Sequence, residues 1–148
     1  MAKEYKIVEI DTQTASRKII GEVPVTLGAS NKNFCPFSTI ISKSTVATWT
    51  KAGSQLFTLP DNATVKFRCI LQVEGAWTVE AQVYDYTAGA YVAGTLLSST
   101  STTPEIKVSA DITIPAGART LEIHFRRQSG TDGDAVYVDY ADIEVTHG

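Results

Sequence analysis

The chain has 148 residues, a net charge of −3, a sequence pI of about 5.3 and 43% hydrophobic residues. That length fits one domain with a substantial core, and the even balance of apolar and polar residues excludes wholesale disorder. The acidic balance excludes the basic face that phosphate neutralisation needs, so no nucleic-acid partner is expected.

Val, Ile and Thr together supply 44 residues, whereas Leu supplies 7. Branching at Cβ suits a pleated strand better than a helix, so an all-β protein is expected. The charge is unevenly spread. Residues 1–74 carry nine Lys/Arg against six Asp/Glu, and residues 75–148 carry four against ten. A basic half and an acidic half can complement copies of the same molecule.

The first residues, Met1-Ala2-Lys3-Glu4-Tyr5-Lys6, lack the apolar stretch of a signal peptide. No apolar run reaches the length of a membrane span. The sequence therefore predicts a chain made in the cytosol, with no membrane partner. Residues 5–10 and 18–27 read as strands separated by the polar residues 11–17. Pro24 removes one ladder donor and argues for an edge position. Residues 1–33 are taken as an arm or long hairpin outside the main domain, the other reading being that they supply its first strands. The domain proper is expected to span 34–148.

Cys35 and Cys69 do not make a disulfide framework. Cys69 lies on an apolar parity and reads as a small buried hydrophobe. Period-2 alternation follows along the rest of the chain. Val65, Phe67, Cys69, Leu71 and Val73 share one parity, and Trp77, Val79, Ala81 and Val83 continue it. Ile106, Val108, Ala110, Ile112 and Ile114 share another. Leu121, Ile123 and Phe125 follow, then Val136, Val138 and Tyr140. Turn residues at 28–33, 60–62, 88–90, 115–117 and 130–133 recur at the intervals of a sandwich or barrel. The Ser/Thr-rich residues 98–103 read as a strand end running into a loop.

Candidate chemistry is sparse. The histidines are His124 and His147; His124 falls on a polar parity and reads as solvent-facing. No nucleophile, base and orienting group come together, and an enzyme is not expected. Cysteine and histidine spacings match no usual zinc pattern. Asp132, Asp134, Asp139 and Asp142 cluster around Gly133 and are the only candidates for a calcium site. Their spacing is not that of an EF-hand, and an acidic hairpin turn with no metal and no cofactor is the expectation. Trp49, Trp77, Tyr84, Tyr86 and Tyr91 offer aromatic platforms for a sugar. Tyr84 and Tyr86 serve equally well as protein-interface residues.

Three segments carry a resemblance. They are residues 83–95, residues 112–121 followed by Phe125-Arg126-Arg127, and residues 135–145. Their succession resembles small jelly-roll modules of tailed-phage virion proteins and, more loosely, carbohydrate-binding modules of galactose-binding-like fold. The whole chain looks most like the trimeric capsid decoration (cement) proteins of long-tailed phages. The resemblance implies an all-β jelly-roll sandwich that binds the outer capsid surface as a homotrimer, with the major capsid protein as its other partner. It implies a location on the virion exterior after synthesis in the host cytoplasm. The arm would then reach a neighbour through Tyr5, Ile7, Val8, Ile10, Ile19, Ile20, Val23 and Val25, and Tyr84 and Tyr86 would join the interface. The alternative is a carbohydrate-binding module or fibre tip that binds glycans.

Overall fold

The computed structural model describes residues 31–38, 42–129 and 133–147. Among them are ten strands and no helix: β1 (Asn31–Pro36), β2 (Ser42–Ser44), β3 (Thr50–Leu59), β4 (Thr64–Val73), β5 (Val79–Asp85), β6 (Ala90–Tyr91), β7 (Leu97–Ser99), β8 (Glu105–Val108), β9 (Gly117–Arg127) and β10 (Val136–His147). The all-β class read from the Val/Ile/Thr excess is the class observed.

Two antiparallel sheets form. The first has the order β1-β10-β4-β8, with β2 also on β10. β1 pairs with residues 142–147 of β10 and β2 with residues 136–138, so they share one edge of that strand end to end. The second sheet has the order β3-β9-β5-β6, with β7 also on β5. The sequence expects the domain to start at residue 34, whereas β1 starts at Asn31 and pairs with β10 from there.

The core lies between the sheets. β4 contributes Val65, Phe67, Cys69, Leu71 and Val73, β5 Val79, Ala81 and Val83, and β9 Leu121, Ile123 and Phe125. These are the alternating positions that the sequence singles out. Burying each of the larger ones contributes roughly 1.5–3 kcal/mol. Both cysteines are free thiols, Cys69 buried and Cys35 half-buried. Burial pushes the Cys69 thiol well above its ordinary range, which keeps it inert.

Three expectations are corrected by the pairing. A register shift between Val138 and Tyr140 inserts a residue into β10. Val136 and Val138 point inward before it, and Ala141, Ile143 and Val145 after it. Tyr140 is thereby turned out of the core parity expected for it and is 37% exposed. The run from Ile106 to Ile114 also breaks. Ile106 and Val108 face out, while Ile112 and Ile114 are buried. The break is at Ser109, whose N–H donates to Phe67 O at 2.8 Å and whose Oγ accepts from Phe67 N–H at 2.9 Å. Trp77 precedes β5, packs at the margin of the core half-buried, and donates from Nε1 to Asp134 Oδ2 at 3.2 Å.

Candidate functional site

The outer face of the second sheet gathers side chains that are far apart in sequence. Because Val79, Ala81 and Val83 point inward, Glu80, Gln82 and Tyr84 of β5 point outward. The same alternation on β9 sends out Glu122, His124 and Arg126. Register places Tyr84 opposite Glu122, Gln82 opposite His124 and Glu80 opposite Arg126. Lys51 of β3 lies opposite His124 on the other side, and Trp49 immediately precedes β3.

Tyr91 joins this face through the β5–β6 turn. Asp85 Oδ1 accepts from the Ala88 N–H at 3.0 Å and Asp85 O from the Gly89 N–H at 2.8 Å. Gly89 supplies the positive φ of 73° that closes the turn. Arg119 Nε donates to Asp85 Oδ2 at 2.7 Å and fixes the carboxylate. The turn brings Tyr91 opposite Tyr84.

The resulting cluster is tightly connected. Tyr84 and His124 are stacked, with ring planes 8° apart and centroids separated by 5.0 Å. Tyr91 meets both edge-on, at 5.0 Å from Tyr84 and 5.5 Å from His124, and Trp49 lies 5.8 Å from Tyr91. The Arg126 guanidinium covers Trp49 at 4.4 Å, a cation–π contact. His124 Nε2 lies 2.9 Å from Glu122 Oε1 and Nδ1 lies 3.0 Å from the Tyr91 hydroxyl. A carboxylate only accepts, so Nε2 carries the hydrogen, and in the neutral ring Nδ1 accepts from the phenol. Lys51 Nζ donates to Glu122 Oε2 at 3.4 Å and Arg126 Nη2 to Glu80 Oε2 at 3.3 Å.

This phenol–imidazole–carboxylate chain has the order of a relay. Burial, and next the neighbouring Tyr84, raises the Tyr91 pKa above its ordinary value. The outward parity of His124 is as expected. The ring is nevertheless held between two tyrosines, with its side chain only 17% exposed, which corrects the expectation of a freely solvated histidine.

A second feature lies where the sheets meet at one end of their strand orders. Asn33 to Ser38, Gln55 to Pro60, Val145 and His147 line a groove of about 900 Å³. Its floor is apolar: Phe37 and Phe57 are buried and touch edge-to-face at 5.0 Å, beside buried Leu59. Leu56 on its rim is 62% exposed. Among the described residues β1 pairs only with β10, and β3 pairs with β9 alone apart from a Ser38–Ser54 bridge. Apart from that bridge, both walls present strand edges with no further strand partner among the described residues. The outer face of the first sheet adds an apolar row, Ile106, Ile70 and Tyr140, that crosses three strands in register.

Of the residues singled out in the sequence, Tyr84 is inside the aromatic cluster and Tyr86 is exposed at the turn tip beside it. Tyr5, Ile7, Val8, Ile10, Ile19, Ile20, Val23 and Val25 lie outside the described residues, as does Asp132. Asp134 is bound to Trp77, Asp139 sits at the β10 bulge, and Asp142 is paired with Arg68. Among the described residues no group of three His, Cys, Asp or Glu side chains is placed to hold a metal ion. Sequence reasoning missed Glu122, Arg126 and Lys51 as neighbours of the tyrosines. Their common outward parity was the available signal, but the strand order that aligns them was not.

No protein-family model and no curated protein matches the chain. Solved structures do. One is the CBM36-1 domain of a multidomain xylanase from the hindgut metagenome of Trinervitermes trinervoides. It is 11% identical with a TM-score of 0.55, over 76% of this chain and 96% of that one. Another is the VP2 subviral particle of infectious bursal disease virus, 12% identical with a TM-score of 0.52, over 80% of this chain and 33% of that one. A third is the insecticidal delta-endotoxin Cry8Ea1 of Bacillus thuringiensis, 16% identical with a TM-score of 0.51, over 70% of this chain and 19% of that one. At these identities the likeness is one of fold: the chain is a jelly-roll sandwich.

Proposed function

We propose that the chain is a structural protein of a tailed-phage virion, which binds the outer capsid surface as a homotrimer and stabilises the shell. The observation that carries this is the apolar groove between β1 and β3, whose two walls, apart from the Ser38–Ser54 bridge, are strand edges with no further strand partner among the described residues. Such edges invite addition of an extended segment from another subunit, with main-chain bonds giving affinity and apolar pockets giving register. The row Ile106–Ile70–Tyr140, exposed at Ile106 and Tyr140 and half-buried at Ile70, offers a further contact face. Residues 1–30 would reach a neighbouring copy or the major capsid protein through the apolar positions between Tyr5 and Val25. Many weak contacts of this kind, repeated over a shell, act together.

The test is deletion of residues 2–27, with Leu56→Asp as a point variant on the groove rim. Mass in solution and co-sedimentation with empty capsid shells are measured for each. The intact chain is expected to run as a trimer and sediment with shells, and both variants to lose one or both properties. A truncated protein that still trimerises and binds shells with unchanged affinity overturns the proposal.

A further inference from the structure

We infer that the outer face of the second sheet, around Trp49, Tyr84 and Tyr91, binds a neutral oligosaccharide. This activity is separate from shell binding and rests on different residues.

The first argument is charge. The cationic groups here are matched to carboxylates: Lys51 contacts Glu122, which also accepts from the His124 ring, and Arg126 contacts Glu80. Two carboxylates against Lys51 and Arg126 leave the face without net charge while the imidazole is neutral. A sulfated or phosphorylated ligand would have to break these pairs, whereas a hydroxyl need not.

The second argument is the mixture of groups. Aromatic rings lie beside carboxylates, an amide and a guanidinium on three adjacent strands. Strands about 4.8 Å apart place such polar termini within reach of hydroxyls on one sugar ring. Tyr91 is 40% exposed and Tyr86, at the adjoining turn tip, is more so. They supply ring surface at low cost in side-chain entropy.

The third argument is rigidity. His124 is held at both ring nitrogens and stacked on Tyr84, and Arg126 covers Trp49. Little freedom remains to be lost on binding.

The experiment is titration of the intact chain with cellotetraose, xylotetraose and chitotetraose, with a heparin tetrasaccharide as the anionic control. Heat of binding and tryptophan emission are both followed, and a Trp77→Phe background assigns the emission to Trp49. At least one neutral tetrasaccharide is expected to bind and shift the emission, and the heparin fragment is not. Trp49→Ala and Tyr91→Ala are expected to weaken binding about tenfold each, the weight of one ring contact. Trp49→Phe, which keeps a ring and spares the fold, should retain part of it. No response to any neutral probe at millimolar concentration overturns the inference. So does undiminished binding in both alanine variants, and so does a response to heparin alone. A Tyr91→Ala variant that loses trimer formation, in a chain that never responds to sugar, assigns the face to a protein partner and overturns it as well. Shell binding is scored separately, so either proposal can fail while the other stands.

Discussion

Arg68 and Asp142 face each other across β4 and β10 through two parallel bonds, Nε to Oδ1 at 2.8 Å and Nη2 to Oδ2 at 2.7 Å. The Asp142 carboxylate is fully buried, the Arg68 side chain is 29% exposed, and the Tyr140 hydroxyl adds a third bond to Oδ2 at 2.8 Å. The same guanidinium lies 4.3 Å from the Phe34 ring of β1. One bidentate pair thus ties three adjacent strands of the first sheet.

Removing one partner leaves an uncompensated buried charge. Arg68→Leu is expected to lower stability by about 3 kcal/mol, in the range for breaking a partly buried pair. Adding Asp142→Leu to Arg68→Leu should recover a large part of that, since two apolar groups of similar size need no solvation. Urea midpoints of the wild type, both single variants and the double variant form the cycle. A double variant no better than Arg68→Leu contradicts the electrostatic account.

Tyr140 also predicts a pH dependence. Burial and, next, its bond to the Asp142 carboxylate raise its pKa above the ordinary value of about 10. The folded state therefore holds the phenolic proton to higher pH than the unfolded chain does. The associated stability is complete below about pH 10 and is lost as pH rises through the folded pKa. Phenolate absorbance should show at least one late-titrating tyrosine that disappears in Tyr140→Phe. The same variant should flatten the alkaline fall of the urea midpoint.

Two glycines with nearly equal φ separate backbone strain from crowding. Gly75 has φ 72° and Gly89 has φ 73°. A Cβ on Gly75 would sit 2.6 Å from Asp134 Oδ2, the acceptor of the Trp77 indole, whereas a Cβ on Gly89 meets nothing within 4 Å. Gly89→Ala should cost about 1 kcal/mol from the left-handed conformation alone. Gly75→Ala should cost more and change Trp77 fluorescence, because Asp134 must move. Equal losses in thermal midpoint with unchanged emission would refute the crowding argument.

The body of the fold was legible because its strands alternate cleanly. Phe67, Leu71, Val83, Ile123 and Phe125 are core residues by parity and core residues in the structure. Legibility stopped where alternation is interrupted. The bulge before Tyr140 and the Ser109 bond to Phe67 each shift parity by means of backbone hydrogen bonding, which leaves no mark in hydrophobicity. The aromatic cluster was half visible. Tyr84 and Trp49 could be named as candidates, but they meet only through the order β3-β9-β5-β6, and sheet order depends on long-range pairing. The arm anchors from Tyr5 to Val25 lie outside the described residues and rest on the sequence alone.

Two buried hydroxyls carry ladder bonds that no backbone group supplies. Thr95 Oγ1 accepts from the Val83 N–H at 3.0 Å and donates to Val92 O at 2.7 Å. Ser109 Oγ accepts from the Phe67 N–H at 2.9 Å and donates to Ala110 O at 2.7 Å. Val83 and Phe67 are core residues with no exposed surface, so water cannot readily reach their amides once the hydroxyls are gone. Thr95→Val keeps volume and shape but leaves the Val83 donor unpaired, at about 1–3 kcal/mol. Ser109→Ala should cost a similar amount, and Thr95→Ser, which keeps the oxygen, should cost less than Thr95→Val. Amide hydrogen exchange at Val83 and Phe67 reports the broken bond directly. Faster exchange confined to the affected amide, with the urea midpoint lowered, is the expected result. A Thr95→Val variant as stable as the wild type would show that the hydroxyl bond contributes nothing to the edge of the second sheet.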